Sequence, residues 1–161
     1  MDKQTKTKVE NFSKIVRRYC DWAENSSVEV NNDVQTAQKI LAELCLSVLD
    51  LPDDEFEDDV EIKDVSTEEW KAVMDKFSNL PINEYLMVFD PTKAEENETV
   101  FALLSEDLAD IYRDIKRGLL FYDAGHISEA IWQWKFNFKI HWGRHLFSAQ
   151  KAIYSWIFNN F

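Results

Sequence analysis

The segment WQWKFNFKIHWGRH, residues 132–145, decides the fold class because it fits two incompatible secondary structures. Apolar and polar side chains alternate along it, as on a β-strand with one buried face. A strand of this length needs hydrogen-bonding neighbours, and the sequence offers no two further strands of similar length. A helix needs no partner strand, and an apolar face of helical period runs through the segment almost to the C-terminus. That face consists of Ile131, Trp134, Phe138, Trp142, Leu146, Ala149, Ile153 and Trp156. The pattern therefore predicts one long helix over 128–158.

The rest of the chain also favours helices. Its 161 residues suit a single domain, and only 3 Gly and 3 Pro are available for the many tight turns of an all-β fold. Periodic apolar positions and end signals predict further helices at about 9–23, 32–51, 66–79 and 105–125. Asn32, Ser105 and Ser128 are predicted N-caps, and Ser66 with Glu69 forms a capping box. Between them, 81–104 suggests a short extended piece at 86–89 and then an acidic loop. The sequence thus predicts an all-α, single-domain bundle of about five helices over 1–161.

A second apolar stripe on the C-terminal helix predicts its position in the bundle. The stripe lies opposite Trp134 and Phe138 and contains Trp132, Phe136, Ile140, Phe147, Tyr154 and Phe158. A helix that is apolar on two faces is normally contacted from two sides. We therefore expect this long helix to be the central element. Gly143, a poor helix former, predicts a close helix crossing or a slight bend.

The whole chain has a net charge of −12, and its acidic side chains are concentrated in the middle of the sequence. Residues 50–64, DLPDDEFEDDVEIKD, contain nine acids and one base, Lys63. Such a surface repels phosphate backbones, so nucleic-acid binding is disfavoured. Phe56, Val60 and Ile62 stand among the acids and suggest a surface loop that docks on a basic protein. The candidate docking residues are Asp53, Asp54, Glu55, Phe56, Glu57, Asp58 and Asp59. An acidic decoy that imitates DNA is a variation on the same idea.

The chain carries no signal for a membrane or an oxidising compartment. Its start, MDKQTKTK, is polar with no apolar stretch behind it, and no apolar run approaches the length of a membrane span. Cys20 and Cys45 occupy apolar positions of predicted helices, as buried reduced thiols do. These features predict a cytoplasmic protein.

Two histidines supply the strongest candidate site. His141 and His145 are four residues apart, the spacing at which one helix presents two imidazoles to one ion. His126 is a possible third ligand. A stripe of carboxylates on the neighbouring predicted helix offers further ligands, namely Asp107, Asp110 and Asp114. The pattern is compatible with zinc or a similar divalent metal.

The same residues also fit a purely structural role. In that interpretation each histidine is neutral and hydrogen-bonded to an acid or a carbonyl, while Arg144 pairs with Asp110 or Asp114. The sequence favours this structural role, so no cofactor is expected, and zinc or a similar divalent metal is the alternative. The chain has no H-E-x-x-H, no pair of Glu-x-x-His motifs, no glycine-rich phosphate loop and no G-x-S-x-G. No catalytic residue is therefore assigned from the sequence.

Three segments carry a family resemblance. VFDP, DLADIYRDIKRGL and WQWKFNFKIHWGRH, in this order and spacing, resemble the hallmark segments of an uncharacterised bacterial family, domain-of-unknown-function family 5063. The resemblance covers 12–154. It implies a compact, bacterial and cytosolic helical domain, and it brings no activity and no site residues.

Two functions of different classes follow from the sequence. The sequence favours the first, a non-catalytic cytosolic interaction or regulatory module that docks through its acidic segment. The alternative is a metal-dependent helical-bundle enzyme built on His141 and His145 with nearby carboxylates. Metal analysis of the purified protein distinguishes the two.

Overall fold

The computed structural model describes residues 1–25, 30–54, 60–95 and 98–160. Helices dominate it, which confirms the predicted helical bundle. The elements are α1 (Lys3–Glu24), α2 (Val30–Leu49), α3 (Thr67–Phe77), β1 (Glu84–Val88), β2 (Thr99–Leu103), α4 (Leu104–Asp123), α5 (Ile127–Asn137), a π-helical turn (Phe138–Trp142) and α6 (Gly143–Asn160). None of the described helices is long and apolar enough to cross a membrane.

Of the predicted N-caps, only Ser66 is one in the structure. Ser66 and Glu69 form the expected capping box at the start of α3. Asn32 and Ser128 lie inside α2 and α5, which begin two residues and one residue earlier. Their prediction as caps is therefore wrong, by the margin within which helix ends are usually uncertain.

The start of α4 is satisfied from a distant part of the chain. The helix begins at Leu104, so Ser105 lies in its first turn and is not the predicted cap. The backbone N–H of Leu104 donates to the carbonyl oxygen of Asn83 at 2.7 Å, and that of Ser105 donates to Oδ1 of Asn83 at 2.9 Å. Asn83 precedes β1, so the hairpin brings this partner to the helix terminus.

The hairpin confirms one extended piece and adds another. β1 and β2 are antiparallel, with Leu86 paired to Phe101. The extended piece predicted at 86–89 overlaps β1, whereas β2 falls in a segment with no predicted structure. TVFAL, the sequence of β2, is rich in β-branched and aromatic residues, the composition that strands favour.

The central element of the bundle is α4, which packs against α1, α3, α5 and α6. Trp134 of α5 is fully buried against it. Its indole Nε1–H donates to the carbonyl oxygen of Ile115 at 2.9 Å. Gly118 makes room for the ring, because a Cβ there would lie 2.2 Å from Nε1 of Trp134. Gly118 is thus a condition for the close contact between α4 and Trp134.

The C-terminal helix runs over 127–160 as predicted, but only one of its apolar faces is covered. On the second stripe, Phe136, Ile140, Phe147, Tyr154 and Phe158 are 41% to 72% exposed. The expectation that this helix is contacted from two sides, and is therefore central, is wrong. Its buried face packs on α2 and α4, and apolar periodicity alone does not say which of two apolar faces meets the core.

A π-helical turn interrupts the C-terminal helix next to Gly143. The backbone N–H of Gly143 donates to the carbonyl oxygen of Phe138, five residues earlier. A Cβ at Gly143 would lie 2.3 Å from that oxygen, so a larger residue would collide with the turn. Gly143 therefore permits a change of helix type instead of the predicted close crossing. Such turns concentrate at functional sites.

Candidate metal centre

Three carboxylates of α4 face the C-terminal helix. Asp107, Asp110 and Asp114 follow each other at helical spacing on one flank and are only 4% to 7% exposed. Opposite them lie His141, from the π-helical turn, and His145, from the first turns of α6. The structure therefore brings together the two histidines and the three aspartates that the sequence had suggested as candidates.

Each histidine is held by its own carboxylate. Nδ1 of His141 lies 2.6 Å from Oδ2 of Asp114, and Nδ1 of His145 lies 2.8 Å from Oδ1 of Asp107. Ionised carboxylates only accept hydrogen bonds, so we assign the ring proton of both histidines to Nδ1. In the neutral ring, Nε2 then carries a lone pair that can accept a proton or bind a metal.

A carboxylate oxygen of Asp110 lies near the two histidines. Its Oδ1 accepts a hydrogen bond from the Trp70 indole at 2.9 Å and one from Arg113 Nη2 at 2.8 Å. Its Oδ2 lies 3.5 Å from Nε2 of His145. One ligand atom from each of Asp110, His141 and His145 lies within 4.8 Å of the other two. One oxygen of Asp110 is thus anchored, while the other faces the histidines.

Asp107 and Asp114, which hold the two histidines, are contacted in turn by residues other than the histidines. Oδ2 of Asp107 accepts a hydrogen bond from the hydroxyl of Tyr85 on β1. Oδ1 of Asp114 lies 3.7 Å from Arg117, which also binds Asp64. Burial raises the pKa of Asp114, and the hydrogen bond and charge of His141, followed by the charge of Arg117, oppose that rise. Burial and the bond to Asp107 raise the pKa of Tyr85, which keeps its hydroxyl a donor.

Two predicted members of the site lie elsewhere. Arg144 was expected to pair with Asp110 or Asp114, but its guanidinium lies 4.8 Å from the centre of the Phe89 ring. The preceding position on a helix points about 100° away from His145, so Arg144 is directed to another side. His126 occupies the N-cap position of α5 and does not belong to the group of Asp110, His141 and His145.

Three residues that orient the site were not predicted from the sequence, namely Trp70, Tyr85 and Arg113. Trp70 binds Asp110, 40 residues away in the sequence, and Tyr85 binds Asp107, 22 residues away. No local sequence pattern predicts contacts between residues this far apart. Arg113 is different, because its spacing of three residues from Asp110 is a helical pairing that the sequence contains.

The ligand set matches what divalent transition metals use. Imidazole nitrogens and one carboxylate oxygen suit zinc and similar ions. Metal-binding histidines almost always donate their second ring N–H to a carboxylate or a carbonyl, which fixes the ring and increases its basicity. Both histidines here make that contact. The same hydrogen bonds are also the ones expected of structural histidines, so the distinguishing feature is the convergence of Asp110 and the two rings.

The acidic segment is tied to the rest of the chain at its described ends. Asp53 accepts a hydrogen bond from Nζ of Lys135 at 2.6 Å, and Asp64 accepts two from Nε of Arg117 at 2.9 Å. Val60 and Ile62, expected to face a partner, pack against the hydrophobic core. Of the other predicted docking residues, Asp54 is exposed, and Glu55, Phe56, Glu57, Asp58 and Asp59 lie outside the described residues.

The fold and the site define a helical bundle in which two histidines of a C-terminal helix meet three buried aspartates of the helix beside it. The chain belongs to the family described as Domain of unknown function (DUF5063), whose model matches residues 3–159. It is similar to the crystal structure of protein BF1032 from Bacteroides fragilis, with 25% identity, coverage of 91% of this chain and 90% of that chain, and a TM-score of 0.77. No curated protein matches the sequence.

Proposed function

We propose that this protein is a metal-dependent helical-bundle enzyme that binds zinc or a similar divalent ion through His141, His145 and Asp110. One observation carries the proposal. The two imidazoles are held through Nδ1 by separate buried carboxylates, which leaves each Nε2 as a ligand atom. One ligand atom from each of His141, His145 and Asp110 lies within 4.8 Å of the other two.

The organisation of the aspartates favours an ion over simple ion pairs. A structural histidine needs one hydrogen-bond partner, and Asp107 or Asp114 already supplies it. Asp110 then adds a third buried carboxylate beside His145. Concentrating three buried carboxylates around two rings is costly unless positive charge compensates them. Arg113 pairs with Asp110 at 2.8 Å, and Arg117 lies 3.7 Å from Asp114. A divalent cation supplies that charge at the centre.

The number of ligands points to catalysis. Three protein ligands would leave room for a water ligand, as in catalytic zinc sites. A metal held by these residues would supply a Lewis acid for the activation of water, so hydrolysis is the reaction class we propose. The chain's own residues hold the ligands: Asp107 and Asp114 orient the imidazoles, and Trp70 with Arg113 fixes Asp110.

Metal content tests the proposal directly. The untagged protein is purified without chelators, and bound metals are measured by mass spectrometry against protein concentration. We expect about one transition-metal ion per chain, lost in both His141→Ala and His145→Ala. His126→Ala is the matched control, because it removes the one histidine outside the site, and it should retain the metal. Protein without stoichiometric metal that also fails to take up added zinc contradicts the proposal.

The function that the sequence favours, a cytosolic module that docks on a basic protein through 50–64, stays a prediction. No contact of the described residues favours it. The acids at the two described ends, Asp53 and Asp64, already have basic partners in the same chain.

A further inference from the structure

A groove of about 750 Å³ lies between β1 and α6. Its apolar lining includes Ile82 and Met87 from the side of β1, and Phe147, Ala152 and Trp156 from α6. The volume is within the range of small-molecule sites. Neither the core nor the metal centre accounts for this apolar concavity.

The charge of the groove is opposite to that of the chain. Among the described residues that line it, only Arg144 and Lys151 are charged, although the whole protein has a net charge of −12. The Arg144 guanidinium lies on the ring of Phe89, and Nζ of Lys151 lies 5.8 Å from the centre of the Tyr154 ring. Neither cation forms an ion pair with a carboxylate of the described residues. The two cations therefore remain available to an anion from outside.

The groove also adjoins the metal centre. Tyr85 is part of its lining, and the hydroxyl of the same residue donates to Asp107, which holds His145. Arg144 directly precedes His145 in the chain. A molecule in the groove would thus lie beside the residues that orient the histidines.

We propose that this groove binds an amphipathic carboxylate, a small molecule with an unbranched apolar chain and one anionic end. The apolar chain lies between β1 and α6 against Met87 and Trp156. The carboxylate pairs with Arg144, whose planar guanidinium suits bidentate contact and is already oriented by Phe89. Lys151, about two helical turns further along α6, contributes a second positive charge. This ligand site does not require a metal at His141 and His145.

Fluorescence of cis-parinaric acid, a fatty acid that emits when it enters an apolar site, tests the proposal. Binding is measured with a chelator present, so that a zinc–carboxylate bond cannot contribute. We expect saturable binding of one molecule per chain, displaced by dodecanoate at least tenfold more effectively than by dodecan-1-ol. The variant carrying Arg144→Gln and Lys151→Gln should bind at least tenfold more weakly. Lys139→Gln, which removes one exposed charge outside the groove, should bind like the parent.

Absence of saturable binding would overturn the proposal, and so would equal binding by the double variant and the control. If binding is absent and sedimentation shows a dimer that Phe147→Asp dissociates, the groove is covered by a second copy of the chain. Circular dichroism of each variant confirms that its helices are intact.

Discussion

Nδ1 of His141 lies 2.6 Å from Oδ2 of Asp114, on two different helices and 27 residues apart in the sequence. The contact fixes the orientation of an imidazole that is otherwise one-third exposed. It leaves the other ring nitrogen free of this contact, and the ring centre of His145 is 4.8 Å away. Asp114 thus acts on the proposed metal through His141.

Asp114→Asn tests this positioning role. An amide keeps a hydrogen-bond acceptor but loses the negative charge that makes the imidazole a better ligand, so we expect zinc affinity to fall about 10- to 100-fold. Because burial raises the pKa of Asp114, its ionised form costs stability in the metal-free protein, and that cost grows as the pH rises through the pKa. The metal-free variant should therefore melt at the same temperature as the parent or higher. Asp123→Asn, on the exposed end of α4, is the control.

Gly143→Ala tests the π-helical turn. The added methyl group would collide with the carbonyl oxygen of Phe138, so the turn must rearrange and move His141 relative to His145. We expect a loss of zinc affinity of at least tenfold, measured by calorimetric titration. Lys139→Ala changes an exposed side chain of the same turn and should bind zinc normally. Unchanged affinity in Gly143→Ala would show that the site does not depend on this turn.

Trp134→Ala tests the core contact with α4. Truncation of a fully buried aromatic costs about 3–5 kcal/mol of unfolding free energy, a large share of a domain's stability. The control is Trp132→Ala on the same helix, where the ring stacks on the exposed Phe136 and its loss should cost much less. Chemical denaturation measures both. Equal losses in the two variants would mean that the core face of this helix is assigned wrongly.

Regular periodicity made the helices predictable, because apolar side chains recur every three to four residues on the buried face. The second stripe of the C-terminal helix was misread for the same reason: Phe147 and Phe158 have the right period but lie on the face away from α4. Asn83, which satisfies the start of α4, could not be found because a hairpin brings it there. Periodicity describes one helix at a time. Which apolar face is buried, and which residue satisfies the N-terminus of a helix, depend on the elements that pack beside it.

The candidate site was predictable in its ligands but not in its geometry. The spacing of His141 and His145 and that of the three aspartates were visible in the sequence, since both follow the helical repeat. Which nitrogen meets which carboxylate depends on the π-helical turn and on how α4 packs. Arg144 shows the limit, because its charge suggested a partner on α4 while its position on the helix directs it to Phe89.

Cys20 should make stability fall at alkaline pH. Burial raises the pKa of this thiol from 9.0 to about 12. Above pH 9 the unfolded chain releases a proton that the folded protein keeps. The free energy of unfolding is therefore unaffected by this thiol below pH 9 and falls as the pH rises toward 12. Each pH unit in this window costs at most about 1.4 kcal/mol. In Cys20→Ala the free energy of unfolding, measured by urea denaturation at each pH, should fall less steeply with pH. A slope equal to that of the parent would place the alkaline loss in other groups.

Neutralising the acidic segment tests the docking hypothesis. In a variant with Glu55→Gln, Glu57→Gln, Asp58→Asn and Asp59→Asn, fewer like charges repel one another, so stability should be unchanged or slightly higher. If the segment binds a basic partner, capture of that partner and its sensitivity to salt should both decrease. Capture that is identical in the variant and the parent counts against docking. Asp53 and Asp64 are left intact because they pair with Lys135 and Arg117.

Calorimetric titration of zinc into the chelator-treated protein tests the central claim most directly. We predict saturation at one ion per chain, no saturable binding in His141→Ala or His145→Ala, a large loss in Asp110→Ala, and unchanged binding in His126→Ala. Metal-free variants with parental circular dichroism exclude unfolding as the cause. Absence of saturable binding in the parent, or equal binding in the parent and both histidine variants of the site, would contradict the assignment of His141, His145 and Asp110 as metal ligands.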